Sequence, residues 1–389
     1  MSNILSKIFK RGDHSVLGVD IGPSSIKLVQ LRKEKGKAVL ETYGALALGP
    51  YAGVDVGRAT HLSPEKVAEA LVDILKEANT TTKKSGMSIP MSSSLITLVE
   101  LPTSDDKQIA EMMPIEARKF VPVPISEVAL DWWVLPREDK IWTREDEEEK
   151  KEKTEQVSAQ GAKQNPVPAS VEKNEKSQVL LVVIHNDALR EMREVIRYSQ
   201  LESSFFEIEI FSTIRAVLDE EINPILIFDM GAGTTKLYIV ERGILKNSHI
   251  VDRGSQDITL GLSRAMGINI GEAENLKRTK GMDITEENKD LKEVMLSTLN
   301  YIFSEANRLL LNYRKKHNKN VAKVIVTGGG SGLKGFVKLA EENFQVEVAA
   351  ADPFSKVEAP AFLANILKQA GPEFSVSVGL ALRKLQELE

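Results

Sequence analysis

The chain has no cysteine among its 389 residues, which excludes disulfides, thiolate metal centres and a cysteine nucleophile, and fits a reducing cytoplasm. Histidine is nearly as scarce. His14, His61, His185, His249 and His317 stand far apart, without the paired spacing of a metal site, so each reads as structural. No apolar run approaches the roughly 20 residues that cross a bilayer; Val179–Ile184 is typical of the longest. The pattern G-x-x-x-x-G-K-[ST] is absent, so a P-loop is excluded. Positive charge is not in excess either. The net charge of -5 argues against a general nucleic-acid surface.

What is present, 42% hydrophobic and 28% charged residues, is the composition of a soluble globular protein. The length predicts roughly two to three domains. At the start, Ile4, Leu5, Ile8 and Phe9 alternate with Lys7, Lys10 and Arg11, the pattern of a short amphipathic helix rather than a signal peptide. One short, weakly charged segment binds lipid only marginally, so packing on the body is the expectation.

The strongest internal signal is a repeat. Val16-Leu-Gly-Val-Asp20-Ile-Gly22-Pro-Ser-Ser25-Ile-Lys27-Leu28 is matched by Ile225-Leu-Ile-Phe-Asp229-Met-Gly231-Ala-Gly-Thr234-Thr-Lys236-Leu237. Each copy is an apolar strand ending in Asp, a Gly turn, a hydroxyl five positions after the Asp, and a second strand, hence a β-hairpin with a polar tip. Backbone N–H groups and hydroxyls in such a tip can cradle phosphate oxygens, and an adjacent Asp can hold the waters of Mg²⁺. Two tips facing one another would grip a nucleotide's phosphate tail. A third element, Val321 to Gly335, reads as a buried strand, a turn with Gly328, Gly329 and Gly330, and a helix start that favours polar or anionic groups.

Other segments set the organisation. Strands are predicted at 94–101, 128–135 and 178–184, with helical spacing over 105–120, where Pro114 must start a second piece or kink a single helix. Residues 186–199 read as a capped amphipathic helix. Between about 137 and 178 the chain turns polar and cannot bury enough apolar surface to order itself, so it reads as a disordered loop inside this α+β module. The remainder alternates strands and helices in the α/β manner. A dinucleotide-binding alternative rests on Gly330, Gly332 and Gly335 as G-x-G-x-x-G, but it leaves the paired Asp hairpins unexplained. Glu274 to Arg278 suits either a ribose edge or an exposed helix face with an i,i+4 pair.

Asp20-Ile-Gly-Pro-Ser-Ser-Ile-Lys27, the stretch from Glu116 through Pro122 and Pro124 to Asp131, Asp229-Met-Gly-Ala-Gly-Thr-Thr235, Glu272-Ala-Glu-Asn-Leu-Lys277 and Gly328-Gly-Gly-Ser331 together resemble the type IV pilus assembly protein PilM family. The hairpins and glycine turn are shared by actin-like proteins generally, including the cell-division protein FtsA; the 116–131 stretch points to PilM.

The resemblance implies an α/β, actin-like (ribonuclease H-like) fold of duplicated nucleotide-binding domains with an inserted α+β module. Its four subdomains would be 1A (12–86 with 204–222), 1C (87–203), 2A (223–262 with 321–389) and 2B (263–320). It implies ATP or ADP with Mg²⁺ in the cleft between 1A and 2A. Asp20, Gly22, Ser24, Ser25 and Lys27 would form one phosphate loop and Asp229, Gly231, Gly233, Thr234 and Thr235 the other. Asp20 and Asp229 would hold Mg²⁺ through water, Glu274 and Lys277 would lie toward the ribose, and Gly328, Gly329, Gly330 and Ser331 toward adenosine. The implied role is a cytoplasmic scaffold of the pilus, or a related type II secretion, inner-membrane platform. It would be held there by the N-terminal cytoplasmic tail of PilN seated between 1A and 1C, with other platform proteins and a second copy as further partners.

The alternative is an FtsA-like membrane-associated or filament-forming ATPase. An active kinase lacks a candidate base outside the hairpins. Three features depart from the family: Pro23 removes an N–H donor from the first loop, the polar loop is longer, and Phe211 stands where a water-orienting polar residue is expected, which predicts slow turnover.

Overall fold

The computed structural model describes residues 14–136, 176–282 and 289–387. The amphipathic start and the polar loop lie outside them. The first hairpin, β1 (Ser15–Ile21) and β2 (Ser25–Glu34), continues through β3 (Lys37–Ala47), helix α1 (Pro64–Glu77) and β4 (Lys84–Ile89). Then comes a separate compact unit, Ser94–Asp187, with β5 (Ser94–Leu101), α2 (Asp106–Ala117), β6 (Val128–Val134) and β7 (Ser177–His185). Helix α3 (Asn186–Ser199) and β8 (Glu202–Ile208) follow, and β8 runs directly into α4 (Glu209–Val217).

The second hairpin is β9 (Ile225–Met230) and β10 (Thr235–Glu241), extended by β11 (Ile244–Val251). Helices α5 (Ser255–Met266), α6 (Ile270–Lys280) and α7 (Lys289–His317) precede β12 (Lys323–Thr327), α8 (Phe336–Phe344) and β13 (Glu347–Ala350). Helices α9 (Ala364–Ala370) and α10 (Ser375–Gln386) complete the described chain.

The strands form two five-stranded sheets of one design, β3-β2-β1-β4-β8 and β11-β10-β9-β12-β13. In each, a three-strand antiparallel meander is followed by two strands parallel to its first member. The internal repeat seen in the hairpins is therefore a repeat of whole sheets. A mixed sheet of this kind is not the all-parallel dinucleotide fold, which removes the G-x-G-x-x-G alternative.

Each sheet is buried on alternate faces by period-two patterning. Leu17, Val19, Ile26 and Leu28 pack with Leu71 and Ile74 of α1. On the second sheet, Phe228 meets Phe303 of α7 and Phe336 and Phe344 of α8, with ring centroids 5.7–6.1 Å away. Such aromatic pairs add about 0.5–1.5 kcal/mol each beyond their buried area.

The C-terminal segment departs from the expected division. The resemblance places residues 321–389 in the second half, yet Phe354, Leu367, Phe374 and Val378 pack with Val16, Val29 and Leu31 of the first sheet. A Cβ on Gly18 would lie 1.9 Å from the Ser377 carbonyl oxygen, so only glycine lets α10 cross β1 this closely. Glu207 secures the arrangement by accepting from Arg215 of α4 (2.7 and 2.9 Å) and Arg383 of α10 (2.7 Å).

The unit Ser94–Asp187 carries a sheet of order β5-β7-β6 with α2 on one face, its core formed by Val99, Leu101, Ile109, Met113, Val179 and Leu181. It is narrower than the expected 87–203, because β4 and β8 pair with one another in the first sheet. Helix α2 is a single helix with Pro114 inside it, capped by Asp105 accepting from the Gln108 N–H (2.9 Å).

Candidate functional site

The two hairpins have the same tip. The Gly22 N–H donates to the Ser25 carbonyl and the Gly231 N–H to the Thr234 carbonyl, both at 3.0 Å. Each turn thus spends one backbone donor on its own closure. Opposite the aspartates the registers coincide again, with Asp20 across from Lys27 and Asp229 across from Lys236.

A cleft of about 310 Å³ has both tips on its walls. Of the residues expected there, Asp20, Gly22, Ser24, Ser25, Lys27, Asp229, Gly231, Glu274, Lys277, Gly328, Gly329 and Gly330 line it. Gly233, Thr234, Thr235 and Ser331 do not. Thr235 is buried and donates to the Arg253 carbonyl (2.9 Å), Ser331 closes its own turn on the Gly328 carbonyl (2.7 Å), and a Cβ on Gly233 would meet Ala59. Pro23 lines the cleft, and its carbonyl accepts from the Thr60 N–H (2.8 Å).

Gly328 has φ +81°, and a Cβ there would sit 2.4 Å from Asp229 Oδ1. The glycine is thus required both by its left-handed backbone and by the aspartate against it.

At the floor, Asp20 accepts from Ser88 Oγ (2.8 Å). Lys27 turns to Ser25 Oγ (2.9 Å). The second hairpin differs: Lys236 Nζ reaches both Glu209 Oε2 (2.6 Å) and Asp229 Oδ2 (3.2 Å). Burial by itself pushes the Lys236 ammonium down, but Asp229 and Glu209 more than reverse this and hold it above the ordinary lysine value. Burial pushes the Glu209 carboxyl up, against the pull of Lys236.

Glu209 is the polar residue that sequence reasoning missed. The resemblance puts Phe211 at the water-orienting position, whereas the turn from β8 into α4 puts Glu209, the first residue of the helix, on the cleft wall. Its Oε1 is fixed by the Met91 N–H (2.8 Å). The available signal was an acidic residue at a strand-to-helix junction, where the helix dipole favours negative charge.

On the other wall, Glu274 Oε2 contacts Lys277 Nζ (2.7 Å) and Thr259 Oγ1 (2.6 Å), and Oε1 contacts Arg278 (2.7 Å). The i,i+4 pair from Glu274 to Arg278 forms, but Glu274 and Lys277 are buried rather than on an exposed face, and all three line the cleft. Burial lowers Lys277 below the ordinary lysine value. For the Glu274 carboxyl, burial works upward but Lys277, Thr259 and Arg278 outweigh it, and it lies below the usual carboxylate range.

A hydrated Mg²⁺ requires carboxylate oxygens that are not already neutralised. Asp20, whose partner is a neutral hydroxyl, meets that condition; Asp229 is paired with Lys236. Among the described residues, no three His, Asp or Glu side chains are grouped to hold a metal directly, so the fit is to an ion held through water.

Duplicated mixed sheets with Asp-tipped hairpins on one cleft define an actin-like protein. The comparisons agree with that class and go further: residues 18–148 match the family model of the type IV pilus assembly protein PilM, and residues 226–379 that of the cell division protein FtsA. The PilM match includes the Glu116–Asp131 stretch, so the resemblance to PilM rests on the inserted unit as well as on the first hairpin. The PilM–PilN type IV pilus biogenesis complex superposes with a TM-score of 0.76 over 95% of this chain and 98% of that one, at 22% identity. MreB5 of Spiroplasma citri bound to ADP gives 0.51 over 97% and 98%, at 12% identity.

Among curated proteins, the cell division protein FtsA of Buchnera aphidicola subsp. Baizongia pistaciae is 26% identical over 204 residues, 45% of this chain and 48% of that protein. The chain spans about half the length of the curated relatives it matches.

Proposed function

We propose that this chain is an actin-like nucleotide-binding scaffold of the type IV pilus, or related type II secretion, inner-membrane platform. The observation that carries the reading is the convergence of Asp20 and Asp229, from two copies of one hairpin, on a single cleft. The nucleotide is ATP or ADP. Its phosphates lie between the Ser24–Ser25 and Gly231–Ala232 turns, its ribose toward Glu274 and Lys277, and its adenine toward Gly328 to Gly330. Asp20 holds Mg²⁺ through water when it is bound, and Mg²⁺ there neutralises phosphate charge. Nucleotide closes the cleft and so sets the surface offered to partners, and turnover is slow.

Match to the PilM model through the inserted unit favours PilN as partner. No described helix is long and apolar enough to cross a membrane. The likeness to the PilM–PilN complex supports inner-membrane association through the cytoplasmic tail of PilN. Within the unit Ser94–Asp187, edge strand β6 exposes Trp133 and Val134, and Ile115 of α2 and Phe120 just after it are exposed, a surface suited to strand addition with apolar anchoring. Met113 of α2 is wholly buried in the core of the unit and does not contribute to this surface.

Two measurements test the reading. Nucleotide retained on purification, identified by mass after denaturation, checks the cleft; its absence, with no binding on titration, sinks the proposal. Calorimetry with the PilN tail from the same genome checks the partner: binding that persists when 94–187 is replaced by a linker places the dock elsewhere. A second reading, an FtsA-like filament protein, is favoured by the FtsA match over 226–379. Nucleotide-dependent sedimentation of polymer, without PilN binding, would decide for it.

A further inference from the structure

The two hairpins use equivalent lysines differently, and the difference falls on the phosphate end of the cleft. Lys27 turns to a hydroxyl of its own loop. Lys236 instead bridges Glu209 and Asp229, with all three side chains at most 15% exposed. Carboxylates this buried need a counter-ion at contact distance. The chain supplies it covalently, where a divalent cation would otherwise be the available charge.

Both oxygens of Glu209 are also engaged, Oε1 by the Met91 N–H and Oε2 by Lys236. In hydrolysis, a water oxygen bonds to the γ-phosphorus while the bond from that phosphorus to the β–γ bridging oxygen breaks. ADP leaves with the electron pair, and the water's proton must pass to an acceptor. Each oxygen keeps a second lone pair, but the ammonium against Oε2 works to lower the basicity that burial gives this carboxylate, so Glu209 accepts the proton less readily with Lys236 in place than without it.

We propose that Lys236 is a built-in counter-ion of the nucleotide site: it offsets one of the two charges of the Asp229–Glu209 pair, makes nucleotide binding less dependent on divalent cation, and weakens Glu209 as an activator of water. This rests on the nucleotide reading above. It assigns Lys236 a positioning and specificity role that its place in the repeat does not reveal, because Lys27 holds the same register without it.

The test titrates full-length protein with ATP in excess Mg²⁺ and in EDTA. Wild-type affinity is expected to differ by less than about threefold between the two, and that of Lys236→Met by about tenfold or more, weaker in EDTA. Turnover of Lys236→Met in Mg²⁺ is expected to rise about tenfold, about 1.4 kcal/mol in barrier, and to fall back in Lys236→Met/Glu209→Gln. The double variant removes both charges of the shorter contact and gives the same affinity ratio if the single variant does not fold. A wild-type affinity that drops about tenfold in EDTA, or variants that keep its insensitivity to Mg²⁺, would overturn the role of Lys236 while leaving nucleotide binding in place. Absence of nucleotide binding in either condition overturns the nucleotide reading itself, and this inference with it.

Discussion

Lys236 lies directly across the β9–β10 ladder from Asp229, its ammonium 3.2 Å from the carboxylate. A cross-strand pair of this kind is ordinarily a surface contact worth little. Here it sits at the bottom of a cleft with Glu209 as a third member, so its charge balance governs what the cleft can hold.

Replacing Asp20 with Ala, or Gly231 with Val, is expected to weaken ATP binding by about tenfold or more, about 1.4 kcal/mol. The first removes the carboxylate whose hydrogen-bond partner is the neutral Ser88 hydroxyl; the second adds bulk to a turn closed by the Gly231–Thr234 hydrogen bond. Titration of folded variants checks this, and unchanged affinity in both would remove the clamp assignment.

Gly328→Ala is expected to cost more than about 1 kcal/mol in stability and to reduce nucleotide affinity as well. Its Cβ cannot be placed without moving both Asp229 and the Met230 backbone, so the two losses should appear together. Denaturant unfolding and ATP titration of one preparation separate this from a purely local strain, which would lower stability alone.

Glu207 provides a pH test. Burial works to raise its carboxyl, but hydrogen bonds and charge from Arg215, with Ser212 and Arg383, outweigh burial and hold it below the usual carboxylate range. A depressed folded-state value means stability that is fully present above the unfolded carboxylate value of about 4.3 and lost as pH falls through the folded one. Glu207→Gln is expected to cost about 1–3 kcal/mol near neutrality, because it removes the charge from hydrogen bonds to two partly exposed arginines. The gap between wild type and variant should narrow below about pH 4.3. A gap that stays constant into acid in denaturant unfolding would show that the carboxylate charge contributes nothing.

The polar segment from 137 to 175 is expected to be dispensable for folding, since its composition cannot build a core. Its flanks are already paired: Val134 stands opposite Val179, and the Leu135 N–H donates to the Gln178 carbonyl at 2.8 Å. A short Gly-Ser turn should therefore close the β6–β7 hairpin with the melting temperature nearly unchanged. A loss of several degrees on differential scanning calorimetry would mean that the segment packs.

Both hairpins, their Gly turns, the three strands of the inserted unit and the glycine turn after β12 could be read directly, because each depends on local chemistry. Alternating apolar residues, a turn-forming Gly and a terminal Asp specify a strand and its end within a dozen residues. The repeat between the two copies then implied two matching sheets. What stayed hidden depended on contacts between distant parts of the chain. Val378 and Phe374 are apolar wherever they pack, and nothing in their spacing says that α10 lies on β1, far back in the chain, rather than on nearby β12. That choice came from the close fit at Gly18 and the arginine contacts to Glu207. Glu209 and Phe211 are two residues apart, and a misjudged helix start moves the expected polar group by that much. Only the folding of β8 into α4 beside Lys236 decided which side chain faces the cleft, since two charges from separate halves of the chain become partners once burial leaves each without water.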